Sequence, residues 1–242
     1  MCGRFAFSID AEGFEAAFGV RPPEGFRPRW NVAPDTDIVV LRTGPGGARE
    51  AVLMRWGLMA PWMKDAKDPG RQINARAETA AEKPMFRDSF RKGRCVVPAD
   101  GFYEWQRGGS GPSRPHFVRR QDGQPITFAG LWRVNRLTTG ELLTTCAVLT
   151  TEPSPLLRKL HHRMAIMLRP EHVDTWLDPA VTDPNFLHEL LDPLPDEDLE
   201  AYEVGRGVSN VRNDGPDLVV PSTGAVSPTP ASPEPPRQAS LF

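Results

Sequence analysis

Thr127-Phe128-Ala129-Gly130-Leu131-Trp132 and Leu142-Leu143-Thr144-Thr145-Cys146-Ala147-Val148-Leu149-Thr150 are short, apolar, β-branched runs without a charged residue. Length and composition make both strands rather than helices. Runs of the same kind recur at residues 37–42, 51–56, 94–97, 117–120, 164–168 and 218–220, so the core is strand-rich. Helical spacing falls at 11–18, 75–82, 84–92, 154–160, 170–177 and 184–191, several of these opening with Pro near the first turn. Strands and helices do not alternate regularly, which predicts an α+β fold rather than a doubly wound sheet. Neither an internal repeat nor a Gly-rich phosphate loop is visible. Residues 222–242 are rich in Pro, Ser, Thr and Ala without apolar periodicity; they cannot offset the entropy of ordering and read as a disordered tail.

The 242 residues suffice for one large domain or two small ones. No stretch approaches the roughly 18 to 20 apolar residues of a membrane span, and the N-terminus lacks the basic-then-apolar order of a secretory signal. A soluble, cytoplasmic protein without a membrane partner is expected. Cys2, Cys95 and Cys146 stand far apart with no C-x-x-C pair, which indicates neither a disulfide framework nor a cysteine zinc site. The net charge of −2 hides a division: residues 1–170 carry 26 Lys and Arg against 17 Asp and Glu, residues 171–242 carry 3 against 14. Arginine makes up 24 of the 29 cations, and its planar fork suits phosphate oxygens, although GC-rich coding gives the same surplus. The acidic stretch 171–203 reads as solvated helical faces that keep the body soluble.

The chain opens Met1-Cys2-Gly3-Arg4. A small second residue favours removal of the initiator Met, which leaves Cys2 with a free α-amine beside its thiol. With unperturbed pKa values of about 7.7–8.0 and about 8.5, both are partly nucleophilic near neutrality. Such a 1,2-aminothiol condenses with an aldehyde to an imine, and the thiol then closes a thiazolidine. A small residue at a frayed terminus can equally be incidental. In Asn74-Ala75-Arg76-Ala77-Glu78-Thr79, Asn74 reads either as a helix N-cap or as an amide that holds an adduct, with Arg76 on a phosphate. Phe102-Tyr103-Glu104-Trp105, taken as a strand, turns Glu104 to one face with Phe102, and Tyr103 with Trp105 to the other. A carboxylate among rings has a raised pKa and suits proton transfer both ways, whereas an edge-strand Glu in water has the same spacing. Leu160-His161-His162-Arg163-Met164 places two imidazoles before a strand, where neighbours point to opposite faces. No carboxylate or Cys stands at ligand spacing, so no metal is expected; one His suits a proton shuttle. Trp30, Trp56, Trp62, Trp105 and Trp132 are interleaved with Arg29, Arg55, Lys64, Arg76, Arg87, Arg107 and Arg133. Exposed, these rings would stack on bases of a single strand; buried, they are core.

Together, Met1-Cys2-Gly3-Arg4, Trp30-Asn31-Val32-Ala33-Pro34, Arg55-Trp56-Gly57, Ile73-Asn74-Ala75-Arg76-Ala77-Glu78-Thr79, Asp100-Gly101-Phe102-Tyr103-Glu104-Trp105, Leu160-His161-His162-Arg163-Met164 and Val208-Ser209-Asn210-Val211-Arg212-Asn213 resemble, in order, the motifs of the SRAP family. These are abasic-site-processing proteins, also labelled SOS-response-associated peptidases. The resemblance spans residues 2–221 and implies one α+β domain there, with a barrel-like sheet core flanked by helices and a basic groove for single-stranded DNA or a single/double-strand junction. It implies that mature Cys2 captures the ring-opened aldehyde of an abasic site as a thiazolidine, which shields the lesion. On matching positions Cys2 is the nucleophile, Asn74 polarises the adduct, Glu104 is the acid/base and His161 helps open the sugar. Arg4 and Arg76 would neutralise phosphates, Trp105 would pack beside the lesion, and Asn31, Pro34, Trp62 and Arg87 would complete the DNA-binding set. No cofactor is implied, and the expected localisation is cytoplasmic and nucleoid-associated. The chain departs from the family's pattern at Ala165, where Pro is usual, and at His162, where an acidic residue is frequent.

Three functions from different classes compete here. The first is covalent capture of abasic DNA, with weak β-lyase activity through the imine. The second is a thiol peptidase pairing Cys2 with His161, acting on peptides or only on Met1, which needs no free α-amine. The third is a noncovalent single-strand-binding module in which Cys2 is idle, recognisable by salt-sensitive binding alone.

Overall fold

The runs at 127–132 and 142–150 pair with each other, and a barrel closes around them. The structure, a computed structural model, describes residues 2–106 and 112–222. Its strands are β1 (Phe5–Phe7), β2 (Arg29–Val32), β3 (Asp37–Thr43), β4 (Arg49–Trp56), β5 (Asn74–Arg76), β6 (Arg94–Ala99), β7 (Gly101–Gln106), β8 (Arg114–Arg120), β9 (Ile126–Arg136), β10 (Leu142–Thr151), β11 (Met164–Ala165) and β12 (Leu199–Glu203). The α-helices are α1 (Ala11–Phe18), α2 (Ala77–Ala80), α3 (Arg87–Lys92), α4 (Pro155–Arg158), α5 (Val173–Leu177) and α6 (Pro184–Glu189). Met1, Arg107 and the expected tail beyond Ser222 lie outside the described residues.

β9 and β10 pair antiparallel from Leu142↔Arg136 to Val148↔Gly130. From β9 the ladder passes to β6, β3 and β4, and β4 returns to β10 in parallel at Thr145↔Arg55 and Cys146↔Trp56. These five strands form a closed barrel, so none of them is left as a bare edge. A buried cluster including Leu41, Met54, Trp56, Val96, Phe128 and Leu131 fills it; each such side chain contributes roughly 1.5–3 kcal/mol on burial. The α+β reading with a barrel-like core holds.

The second sheet has the order β12-β8-β7-β1-β2. Phe102 and Val118 face the barrel cluster, whereas Tyr103, Phe117 and Tyr202 face a smaller cluster closed by Val208 and Leu218. The Phe5 ring joins the sheets, 5.3 Å from Trp56 and 6.3 Å from Phe128. A Cβ on Gly101 would lie 2.5 Å from both Val118 O and Phe117 Cζ, so glycine is what lets β7 approach β8 here. Arg94, 4% exposed, ties α3 to α5: Nε donates to Trp176 O at 2.7 Å and Nη1 to Phe90 O at 3.0 Å.

Four sequence expectations are corrected. Residues 218–220 are not a strand; a 3-10 turn occupies Pro216–Val219, where Pro216 has no N–H to give a ladder. The helix expected at 75–82 is confined to Ala77–Ala80, because Asn74–Arg76 is captured as β5 by the edge of β10 that β4 leaves open. The strand expected at 164–168 keeps only Met164–Ala165 in the ladder with β10. The acidic stretch 171–203 is more than a solvated face, since Trp176 and Leu187 are fully buried and Leu199–Glu203 pairs with β8. Among the described residues no helix is long and apolar enough to cross a membrane.

Candidate active site

Cys2 lies three residues before β1, and the register of that strand decides its neighbours. β1 pairs with β7 at Phe5↔Phe102 and Ala6↔Gly101, and Tyr103 N donates to Arg4 O at 2.9 Å. The next step of the same register sets Gly3 opposite Glu104, and the Glu104 carboxyl is close enough to the preceding residue, Cys2, for its charge to act on the thiol. Cys2 is 0% exposed. Burial pushes its thiol up, and the charge of Glu104 adds to the rise. The expectation of a partly ionised thiol near neutrality therefore fails for the chain that still carries Met1, in which the Cys2 nitrogen is an amide and the sulfur sits in an apolar, anion-flanked pocket.

Asn74 reaches the same point from the barrel side. It is the first residue of β5 rather than a helix cap, paired in register with Val148. Its Nδ2 donates to Cys2 O at 2.9 Å, and its buried Oδ1 has no hydrogen-bond partner among the described residues. Glu104 is 4% exposed. Burial raises its carboxyl to about 7, against the pull of the chain's terminal ammonium and, less, of the Trp105 N–H. The alternation expected of β7 is observed: Phe102 joins the barrel cluster, while the Tyr103 hydroxyl donates to Trp30 O at 2.7 Å on the other face.

His161 and His162 do not point to opposite faces. Residues 160–163 form a bend ahead of β11 rather than extended strand, and the two rings stack at 4.2 Å and 31°. His161 Nδ1 lies 3.1 Å from both Arg163 N and Arg163 O, accepting from the first or donating to the second according to its tautomer. Sequence reasoning missed what fixes this bend. Arg163 grips Glu78 with both fork nitrogens, Nη1 to Oε1 at 2.9 Å and Nη2 to Oε2 at 2.8 Å, and donates to Thr150 O at 2.7 Å. The bend is thereby tied to α2, four residues past Asn74. The available signal was an unclaimed carboxylate in one motif and an unclaimed guanidinium in another.

Arg4 Nη1 donates to Asn31 Oδ1 and to Val208 O, both at 2.8 Å, and its guanidinium lies 5.7 Å from the Trp105 ring centroid. Asn31 offers no surface to a polymer, being 0% exposed: its amide donates to Val208 O, Asn210 O and Asn213 O. It is a hub that holds Arg4 and the 208–213 segment. Trp105, half-buried, donates to Ser209 Oγ at 3.3 Å. Pro34 is half-buried, followed by Asp35, which adopts a φ of 63° and is paired with Arg71 at 2.5 Å. Trp62 is 62% exposed on a loop held by Asn135, whose Nδ2 donates to Ala60 O at 2.8 Å. Arg76 is exposed with no ion pair among the described residues, and Arg87, on α3, meets only its neighbour Asp88 at 3.8 Å. Trp56 is core and Trp132 lies under Arg42 at 4.3 Å, so neither ring is a stacking platform. Cys2, Asn74 and Glu104 thus converge, Arg4, Asn31 and Trp105 form an adjoining network, and Trp62, Arg76 and Arg87 stand apart on the surface. Among the described residues no three His, Cys, Asp or Glu side chains gather as metal ligands.

The family model described as SOS response associated peptidase (SRAP) matches residues 1–211. The abasic site processing protein YoqW of Bacillus subtilis (strain 168) is 38% identical over 222 residues, covering 90% of this chain and 99% of its own. The abasic site processing protein YedK of Escherichia coli (strain K12) is 30% identical over 232 residues, covering 91% and 100%. A crystal structure from Bordetella bronchiseptica superposes with a TM-score of 0.75 at 28% identity, covering 84% of this chain and 100% of that one. One from Bacteroides thetaiotaomicron reaches 0.82 at 24% identity, covering 91% and 100%, and speaks to the fold alone. The motif order, the closed barrel and the family match over residues 1–211 agree, and the chain belongs to the SRAP family.

Proposed function

We propose that this protein processes abasic sites in single-stranded DNA and at single/double-strand junctions by capturing the lesion's aldehyde on Cys2 after Met1 is removed. The observation that carries the reading is the convergence at one strand end of a cysteine, an amide 2.9 Å from its carbonyl and a carboxyl at about 7. Neutral Glu104 gives its proton to the ring oxygen while the anomeric hydroxyl gives its own to His161, the second shuttle; the C–O ring bond breaks and the closed sugar opens to an aldehyde. The freed Cys2 amine adds to the aldehyde carbon and water leaves, giving an imine. The thiol then adds across the C=N bond: sulfur bonds to carbon and a proton passes to nitrogen. The sum is aldehyde plus aminothiol to thiazolidine plus water, and the same steps reversed release the strand. In this reading Asn74 Oδ1, which is buried without a hydrogen-bond partner among the described residues, accepts from the amine, and loss of Met1 supplies the group that an internal cysteine lacks. The relatives named abasic site processing proteins support the substrate class. Arg76 and the ring of Trp62 would engage the flanking strand.

The test incubates the mature protein with abasic and intact oligonucleotides and resolves the products on denaturing gels, with intact mass reporting the N-terminus. A covalent shift with abasic DNA only, lost in Cys2→Ala and in protein that retains Met1, is expected. Peptide turnover without a shift, or salt-sensitive binding alone, overturns the reading.

A further inference from the structure

Once Glu104 has given up its proton it is a carboxylate that is 4% exposed and has to be reprotonated before it acts again. The register of the second sheet supplies a route. β7 and β8 pair without a slip from Gly101↔Arg119 to Gln106↔Arg114, which sets Glu104 opposite His116. β8 and β12 pair without a slip from Leu199↔Arg120 to Glu203↔His116. Residues directly opposite in antiparallel strands share a face. That face is the barrel side, because Phe102, Val118 and Leu199, each an even number of positions from its member of the row, belong to the barrel cluster. Tyr103, Phe117 and Tyr202, one position off, belong to the other cluster.

Glu203, His116 and Glu104 therefore make one row across three strands, running from the edge strand inward to the residue beside Cys2. Exposure falls along it: Glu203 and His116 are half-buried and Glu104 is buried. The tautomer of His116 is also set. Its Nδ1 lies 3.1 Å from Arg114 O, and a carbonyl only accepts, so Nδ1 carries a proton and Nε2 is the exchanging site. The chain's terminal ammonium acts on Glu104, and among the described residues Cys2 lies against it and Arg114 faces the outer end of the row, its Nη1 3.2 Å from Glu203 Oε2 and its Nη2 donating to Gln106 Oε1 at 2.6 Å. Cross-strand Cβ atoms stand about 4.5–5.5 Å apart, a gap that side chains bridge directly or through one water.

The geometry points to His116 as a positioning residue that relays protons between solvent, at the Glu203 edge, and Glu104. This rests on the reading of Glu104 as the acid and base of abasic-site capture. In the reprotonation direction imidazolium His116 passes its Nε2 proton to the Glu104 carboxylate and takes another from water at Glu203; one proton crosses and no heavy-atom bond changes. Running the path the other way drains the proton that Glu104 accepts during release.

The test follows capture and release of an abasic oligonucleotide by mature wild type, His116→Gln and His116→Phe between about pH 5.5 and 9. Both variants are expected to slow capture and release by about tenfold with an altered pH profile, and free imidazole is expected to restore most of the rate to His116→Phe, which a packing role would not allow. Wild-type rates and profile in His116→Gln, or no response to imidazole, overturn the relay while leaving the proposed function standing. Absence of any Cys2-dependent crosslink in wild type overturns both.

Discussion

Glu104 is expected to destabilise the fold it serves. Its carboxyl moves from 4.5 to about 7 on folding, mainly through burial. Between those two pH values the native state holds a proton that the unfolded chain has released, so the stability contributed by the neutral carboxyl is complete below about 4.5 and declines as pH rises to about 7. About 2.5 pKa units at ~1.36 kcal/mol each amount to ~3 kcal/mol at pH 8. Glu104→Gln keeps the shape and removes the ionisation, so it should be more stable than wild type by about that amount at pH 8 and nearly equal to it at pH 4.5. For a chain of this size the gain corresponds to a rise in Tm of roughly 6–12 °C. Thermal and urea melts of both proteins across that pH range measure it, and capture assays on the same samples should find the more stable variant slow. A variant that melts at or below wild type at pH 8, or a difference that does not depend on pH, would refute the reasoning that burial holds this carboxyl neutral.

Asn31→Ala leaves the carbonyls of Val208, Asn210 and Asn213 and the fork of Arg4 short of a partner, and should lose roughly 2–4 kcal/mol in urea melts; a loss under about 0.5 would show that the 208–213 segment holds without it. Arg163→Lys cannot reproduce the two-pronged grip on Glu78. It should slow capture about tenfold by loosening the His161 bend while changing stability by less than about 1 kcal/mol, because Glu78 is partly exposed. Arg76→Gln should weaken DNA binding equally for all sequences and reduce the salt slope by about 0.7, and an unchanged slope would remove Arg76 from the phosphate path.

Elements whose signals are local were legible in the sequence. The helix at 11–18 is found as read, because Asp10 caps Gly13 N and Gly19 ends the helix at a φ of 69°. The long runs of β9 and β10 carry enough apolar, β-branched residues to declare themselves. β1, β5 and β11 have three residues or fewer and exist because a distant strand offers an open edge, which no window of sequence contains. The site divides in the same way. The side that Glu104 faces follows from alternation and was legible, whereas the His pair was misread because the bend that stacks the rings depends on Arg163 reaching Glu78, 85 residues away. Asn31 carried no sequence mark of a hub, its three carbonyl partners lying 177 to 182 residues along the chain.

A chain terminus is ordinarily the least ordered place to build a reactive group. Here β1 lies inside its sheet, between β7 and β2, so the residues just before it inherit a fixed register. That makes the position of Cys2 a property of strand pairing, and it can be tested by shifting the register of the terminus alone. One alanine inserted between Gly3 and Arg4 leaves Phe5 and Phe7 in their buried places, since moving them by one position would turn both out of the core. The insertion instead displaces Cys2 by about 3.3 Å from its place beside Glu104 and Asn74. Melting should stay close to wild type while the denaturation-resistant DNA adduct disappears. An inserted variant that still crosslinks at the wild-type rate would mean that the terminus finds its own way to the lesion and that β1 does not set the geometry of capture.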